Sequence, residues 1–443
     1  MLGFGRFPIS MTDNPRHNRT AIFSAQFLRL SELLGEVLPA NPFYSRKLGA
    51  AGVSADIESI EAFKSRVPFT TKQELVEDQA ANPPYGSDLT YPLFQYTRCH
   101  VTSGSTGRPL RWLDTPASWN WMLDNWELVH RTAGTAHSDT VFFAFSFGPF
   151  LGFWTAFESA QRLGCLCVAG GGMSSVARLR AILDQAVTVL CCTPSYALHL
   201  AQVAEAEGMS LRHSKVRTLS VAGEPGGSIG STRLRLQEAW PGARVYDHHG
   251  MTEVGPVTFE CPARPCVLHV NESAYIAEVL DPATARPVAP GDTGELVLTT
   301  LGRHASPLLR YRTGDLVKIS AHPAAKLPCD CGRFDLALEG GILGRVDDMV
   351  IIRGVNVFPS AIEDIVRKCG GVAEYRVRVN RTPALVSMEL DLEPDAGCLD
   401  TGSLVRRVTH AIESSLNLSV PVRAVAPGAL PRFEMKAQRW VLE

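Results

Sequence analysis

The 443-residue sequence has no charge surplus: 43 basic against 45 acidic residues leave a formal net charge of −2. That excludes the basic surface by which a protein holds nucleic acid or an anionic membrane. Internal repeats and low-complexity tracts are missing. The first twenty residues, "MLGFGRFPISMTDNPRHNRT", lack the apolar run and small-residue cleavage site of a signal peptide. Long apolar runs are scarce. Thr140–Phe157 runs eighteen residues without a charge, and Gly148, Pro149 and Gly152 interrupt it. Such a stretch is short and broken for a membrane span; it reads as a strand, a Gly-Pro turn and an aromatic helix start. A cytoplasmic protein is expected. A disulfide framework is not: the eleven cysteines are odd in number and uneven in spacing, and in a reducing compartment clustered cysteines read as metal ligands first.

What is present is an ordinary globular composition, 45% hydrophobic and 20% charged, in a chain long enough for two or three structural units. "AIFSAQFLRLSELLGEVL" carries Ile22, Phe23, Phe27, Leu28, Leu30 and Leu34 on one helical face. From about 97 to 260, short apolar runs ("TVFFAFSF", "LCVAGG", "VTVLCCTP", "TLSVAGEP", "RVYDHHG") alternate with helical segments. That predicts a mainly parallel sheet covered by helices on both faces, an α/β fold. Residues 267–320 change to a β pattern. After Gly344 a small α+β unit of about one hundred residues begins.

Each apolar run ends in Gly, Pro or a polar turn, and in α/β sheets ligands sit beyond the carboxyl ends of the strands. "TSGSTGRP" interleaves Thr102, Ser103, Ser105 and Thr106 with Gly104 and Gly107. Glycines let backbone approach an anion, while hydroxyls and amides donate to phosphate oxygens. No GK[ST] follows, so it is not a P-loop. "YDHHGMTEVG", "LRYRTGDL", "GRVDDMVIIRGVNVFP" and "LPRFEMKAQRW" follow in that order.

Together these five motifs resemble the series of the adenylate-forming (acyl/aryl-CoA synthetase) superfamily, most nearly its phenylacetate-CoA ligase branch, from about residue 40 to the end. The resemblance implies an adenylation core over residues 1–345, with ATP and acyl-acid sites, and a mobile C-terminal domain over 346–443. It gives Thr102, Ser103, Gly104, Ser105, Thr106 and Gly107 to the ATP phosphates, and Thr252 to the α-phosphate. Glu253 would hold Mg²⁺, a hard cation suited to carboxylate and phosphate oxygens. Asp247 would accept from the adenine amine. His249 stands where relatives usually carry Tyr against the adenine ring, and Gly250 follows it. Gly223, Glu224 and Pro225 line the nucleotide pocket. Asp315 would take the ribose hydroxyls and Arg345 would assist there.

Lys436 is assigned the charge between the attacking carboxylate and the α-phosphate, where a point cation stabilises the transition state. Asp347 stands at the hinge, and Gly354 in the loop that approaches for thiol transfer. The implied reaction joins an aromatic acid (phenylacetate, anthranilate or hydroxybenzoate type) to coenzyme A through acyl-AMP. An acceptor thiol on a carrier protein, or nucleotidyl transfer to a cofactor hydroxyl, is the alternative. The resemblance is compatible with a homodimer.

Phe145, Phe147, Phe150 and Phe153, with Ala222, are the candidate acyl pocket, and His248 could hydrogen-bond a ring substituent. Cys261, His269, Cys329 and Cys331 combine thiolates with an imidazole, a donor set suited to tetrahedral Zn²⁺, with Cys266 as substitute ligand. Similar clusters with zinc occur in the same branch. A closed shell would be structural.

Overall fold

A computed structural model describes residues 18–102, 109–321, 327–348, 350–352, 355–382, 385–433 and 438–442. Helices α1 (Arg19–Ala40), α2 (Pro42–Ala50), α3 (Ile60–Arg66) and α4 (Lys72–Ala81) lead in. A hairpin follows, β1 (Arg98–Val101) with β2 (Arg111–Asp114), and then α5 (Pro116–Thr132). The expected sheet comes next: β3 (Thr140–Phe143), α6 (Leu151–Leu163), β4 (Leu166–Ala169), α7 (Ser175–Asp184), β5 (Val189–Cys192), α8 (Pro194–Ala206), β6 (Thr218–Val221), α9 (Gly230–Ala239) and β7 (Arg244–Asp247). Its five strands are all parallel, in the order β4-β3-β5-β6-β7.

Its runs are apolar at successive positions because both faces are covered, and side chains alternate between those faces. Phe142, Leu190, Leu219 and Val245 pack against α7, α8 and α9. Val141, Phe143, Val189, Cys191 and Tyr246 meet Trp126 and Val129 of α5 and Ala156 and Ala160 of α6. The uncharged stretch at 140–157 is thus a buried strand, a turn and a helix start, as expected. Among the described residues, no helix is long and apolar enough to cross a membrane.

Beyond β7 lie a two-residue-strand hairpin, β8 (Gly250–Met251) and β9 (Gly255–Pro256), and a six-stranded antiparallel sheet. The latter contains β10 (Thr258–Glu260), β11 (Val267–Val270), β12 (Tyr275–Leu280), β13 (Thr293–Thr300), β14 (Tyr311–Ile319) and β15 (Ala337–Arg345). Helices α1 to α3 share its core, with Leu30, Leu33, Phe63, Tyr275, Leu296 and Leu298 together.

The C-terminal unit has a core of its own, from Val350 to Val420. It is built from β16 (Val350–Ile352), β17 (Val355–Val357), α10 (Pro359–Cys369), β18 (Val372–Thr382), β19 (Leu385–Pro394), α11 (Thr401–Leu416), β20 (Val422–Ala424) and β21 (Trp440–Leu442). Helix α10 rests on α9 of the larger unit: Ser231 Oγ donates to Asp364 Oδ1 at 2.9 Å, and Arg235 Nη1 to the Val372 carbonyl at 2.9 Å.

Candidate active site at the carboxyl ends of the parallel strands

Strand ends and neighbouring turns carry most of the described candidates, and direct contacts join His249, Asp315 and Arg345. The β1–β2 hairpin is closed at its tip by Thr102, whose N–H donates to the Leu110 carbonyl at 3.0 Å and whose Oγ1 accepts from Leu110 N–H at 3.0 Å. Ser103, Gly104, Ser105, Thr106 and Gly107 lie outside the described residues, as do Gly354 and Lys436.

The β6 strand end turns through Ala222, Gly223, Glu224 and Pro225. Gly223 has φ of 92°, a left-handed conformation that suits glycine. Glu224 Oε1 accepts from Ser195 N–H at 2.7 Å, joining this turn to the start of α8. The neighbouring turn after β7 is tied to β6, since His248 N–H donates to the Val221 carbonyl at 3.2 Å.

Asp247 is buried, and Ser228 Oγ donates to its Oδ2 at 2.5 Å. Burial, aided by the nearby Glu260 charge, pushes its carboxyl up to about 7, against the Ser228 bond and Arg233. His249 places Nε2 3.0 Å from Asp315 Oδ2. Asp315 in turn has Arg345 Nη1 3.4 Å from its Oδ1, across the β14–β15 register. Arg345 also pairs with Asp347, Nε to Oδ1 at 2.8 Å. Burial opposes the Arg345 charge, but the Asp347 and Asp315 carboxylates hold it more firmly protonated than usual. An acidic group framed by an imidazole and a guanidinium is well placed to meet a diol.

Between β8 and β9 the turn presents Thr252 and a buried Glu253. Lys72 Nζ stands 3.5 Å from Glu253 Oε1. Its helix starts there because Thr71 and Glu74 form a capping box, Thr71 N–H donating to Glu74 Oε2 at 2.7 Å. A buried carboxylate beside a cation suits a hard metal and phosphate oxygens.

Phe145 and Phe153 stack at 4.3 Å, and Phe150 meets Phe153 edge-on at 5.8 Å. Phe147 contacts Phe145 at 5.2 Å and sits at a positive φ of 53°, a strained conformation for an aromatic residue. All four rings are half-buried. The loop carrying them touches the hairpin through Val101 N–H and the Pro149 carbonyl, 2.9 Å apart. His248 is buried edge-on against Trp126 at 4.4 Å, and its Nδ1 has no hydrogen-bond partner among the described residues. Burial, with His130 and His249 nearby, lowers its imidazole to about 3, so it is neutral at physiological pH.

Two family patterns cover this cleft and the unit beyond it. The AMP-binding enzyme pattern matches residues 67–302, and the AMP-binding enzyme C-terminal domain pattern matches residues 354–442. Phenylacetate-coenzyme A ligase of Escherichia coli K12 is 32% identical over 433 residues, covering 94% of this chain and 93% of its own. The chain belongs to the AMP-binding enzyme family. Within it the chain falls in the phenylacetate-CoA ligase branch; the Pseudomonas putida ligase of that name is 31% identical at the same coverage. Among solved structures, 2-hydroxyisobutyryl-CoA ligase in the postadenylation state, with its acyl-AMP, superposes at a TM-score of 0.90 with 29% identity, covering 98% of this chain and 95% of its own. The same ligase with CoA in the thioesterification state superposes at 0.68. The two share a sequence, so the gap reflects conformation: the two units here are arranged as in the postadenylation state.

Apart from these residues, this AMP-binding enzyme has a second cluster. Cys261, His269, Cys329 and Cys331 bring their donor atoms within 4.8 Å of one another. Cys261 Sγ and Cys329 Sγ are 3.6 Å apart, and Cys331 Sγ and His269 Nε2 3.4 Å. A tetrahedral zinc shell requires separations of about 3.5–3.8 Å, which these approach. The His269 Nδ1 lies 3.2 Å from the Asp335 carbonyl, the outer hydrogen bond that orients a ligating imidazole. Cys266 is not in this group; its N–H donates to Glu260 Oε1 and its φ is 63°.

Lys72 and Trp126 escaped the motif reading. Lys72 opens a polar helix, where a lysine reads as a solvated charge. Trp126 belongs to the apolar stripe Trp119, Met122, Trp126, Val129 of α5, where an aromatic reads as core. The capping box and the stripe were legible signals, but neither indicates that its residue borders a cleft.

Proposed function

We propose that the chain is an AMP-forming aryl-CoA ligase. The observation that supports this most is the run of contacts from His249 through Asp315 to Arg345, with Arg303 joining β2 to the Thr252–Glu253 turn. It occurs in a chain that matches phenylacetate-coenzyme A ligases along 94% of its length.

In the first half-reaction a carboxylate oxygen of the acid attacks the α-phosphorus of ATP. A P–O bond forms, the bond to the β-phosphate bridging oxygen breaks, and pyrophosphate leaves with that electron pair. Asp315 takes the ribose hydroxyls while His249 lies against the adenine and Asp247 accepts from its amine. Thr252 and Lys436 balance the charge that accumulates on the α-phosphate. Magnesium, held by Glu253 and phosphate oxygens, would neutralise the departing pyrophosphate. Lys72 adds a fixed cation beside it. In the second half-reaction the coenzyme A sulfur attacks the acyl carbon, the acyl–oxygen bond breaks, AMP departs and the thiol proton passes to solvent. The C-terminal unit turns about Asp347 between the two, a hinge motion.

The half-buried phenylalanines support an aromatic acid, and the neutral His248 could accept from a hydroxyl or amino donor where the ring carries one. Four donors within 4.8 Å of one another support a structural zinc that would pin the 261–269 and 329–331 segments. A reaction that consumes ATP and coenzyme A suits the cytoplasm.

The test is mass-spectrometric detection of CoA thioesters after incubation with ATP, magnesium, coenzyme A and single acids. Phenylacetate, anthranilate or a hydroxybenzoate should give a thioester, AMP and pyrophosphate. Thioester only from 2-hydroxyisobutyrate and other small aliphatic acids would overturn the aryl assignment. Acyl-AMP without any thioester would overturn coenzyme A as acceptor.

A further inference from the structure

Arg303 takes no part in the motifs, yet it is wholly buried in the loop after β13. Its guanidinium forks onto Asp114 at the end of β2: Nε donates to Oδ1 at 2.8 Å and Nη2 to Oδ2 at 2.7 Å, with both side chains fully excluded from solvent. The remaining nitrogen, Nη1, donates to the backbone carbonyls of Thr252 at 2.9 Å and Glu253 at 2.6 Å. Trp112 of β2 lies 5.2 Å from the guanidinium carbon, on the same strand as Asp114.

The loop itself is fixed from several sides. Ser306 Oγ donates to the Leu113 carbonyl at 2.7 Å, and Thr90 N–H to the Ala305 carbonyl at 3.0 Å. Gly302 is required there: a Cβ would lie 2.3 Å from the Trp121 ring.

One cation therefore joins two segments that are distant in sequence. Strand β2 returns from the "TSGSTGRP" loop, and the Thr252–Glu253 turn carries the candidate magnesium ligand. We infer that the Arg303–Asp114 pair is a positioning clamp that sets the spacing between these two phosphate-facing segments. This rests on the reading of the cleft as an ATP site. A guanidinium suits the task, because its planar fork satisfies a carboxylate and still offers a third edge to two carbonyls. Glu253 then enters the cleft from a backbone whose carbonyls are already tied down, with little freedom to lose on binding magnesium and phosphate.

Removing Arg303 alone would strand a buried carboxylate and could unfold the chain. The informative variant is the double substitution Arg303→Met with Asp114→Leu, which removes both charges and leaves the two carbonyls undonated. Arg303→Lys provides partial rescue, since it restores a cation but not the fork. Three readouts are taken on each protein: thermal unfolding, acid-dependent ATP–pyrophosphate exchange against magnesium concentration, and thioester formation from supplied acyl-AMP.

The double variant should unfold in one transition. It should lose about 100-fold in exchange and need about tenfold more magnesium for half-maximal rate, while thioester formation stays close to wild type. Calorimetric binding of MgATP should weaken in parallel, and this reads the clamp even if no acid supports exchange in the wild type. Unchanged MgATP affinity and magnesium dependence would overturn the clamp. So would an equal loss in both half-reactions that follows the fraction unfolded, since that is what a purely structural ion pair gives.

Discussion

Inside the larger unit, a guanidinium and a carboxylate with no exposed surface tie β2 to the Thr252–Glu253 turn. At the seam between the larger and C-terminal units, helix α9 meets α10 and β18 through a buried Thr232–Glu363 contact and through part-exposed Arg235, Asp364 and Asp395. Ser231 bonds Asp364, Arg235 bonds the Val372 carbonyl, and Arg235 Nη2 stands 3.9 Å from Asp395. An open groove of about 1450 Å³ runs along that seam, lined by Arg235, Leu316, Phe358 and Gly371. Breaking one partner of a buried pair costs about 3–5 kcal/mol, whereas an exposed polar contact contributes about 0–1 kcal/mol. The first arrangement resists movement and the second permits it. An enzyme that must hold a nucleotide still and then exchange one chemistry for another requires both.

The largest expected effect breaks this division of labour at its catalytic cation. Lys436→Ala should lower acid-dependent ATP–pyrophosphate exchange by about 100- to 1000-fold. Transfer from preformed acyl-AMP to coenzyme A should largely survive, because the lysine is assigned to the first half-reaction only. Equal losses in both half-reactions would remove that distinction.

The Cys261, His269, Cys329 and Cys331 cluster belongs to the larger unit, so loss of a metal held there should register in stability rather than turnover. Wild-type protein should contain close to one equivalent of zinc by elemental analysis. Cys331→Ser should lower that content and reduce Tm by about 5 °C, with kcat nearly preserved in the folded fraction. Less than half an equivalent in wild type would dismiss the site.

A smaller effect follows from Asp247. Its folded value of about 7 lies above the ordinary 3.8, so the native protein holds this proton more tightly than the unfolded chain. Stability from this group is complete at low pH and is lost as pH rises from about 4 through about 7. Nucleotide binding should run the other way: as pH falls below about 7 the carboxylate is protonated, its acceptor strength drops, and KM for ATP rises. Asp247→Asn should flatten that dependence, and an unaltered pH profile would argue against contact with the adenine amine.

The smallest change is expected at the seam. Arg235→Ala removes a single partly exposed tie, so adenylation should decline by less than about fivefold. Thioester formation should hold steady or rise as the postadenylation arrangement becomes easier to leave. A loss as large as that of Lys436→Ala would mean that the seam is not the loose region.

The sequence displayed what is periodic and local. The parallel sheet was legible because "VTVLCCTP" and "TLSVAGEP" are apolar on both faces and end in turn residues, and a strand with two covered faces leaves that trace. The Asp247–Glu253 and Asp315 motifs were legible because their residues follow one another along single turns. The Arg303–Asp114 clamp was not, since its partners are 189 residues apart and each is an ordinary charged residue in its own segment. Lys72 was hidden for the same reason, for only the fold brings α4 to Glu253. The cysteine cluster fell between these cases: residue types signalled a metal and favoured Cys261 over Cys266, while the approach of Cys261 Sγ to Cys329 Sγ, 68 residues away, needed the fold.

The central claim is that an oxygen of the acid becomes bonded to the α-phosphorus of ATP within this cleft. Incubation with an aromatic acid labelled with ¹⁸O in both carboxylate positions, followed by mass analysis of the nucleotide product, tests it directly. The account predicts AMP carrying one heavy oxygen atom alongside the CoA thioester. Unlabelled AMP, or ADP in its place, would contradict it.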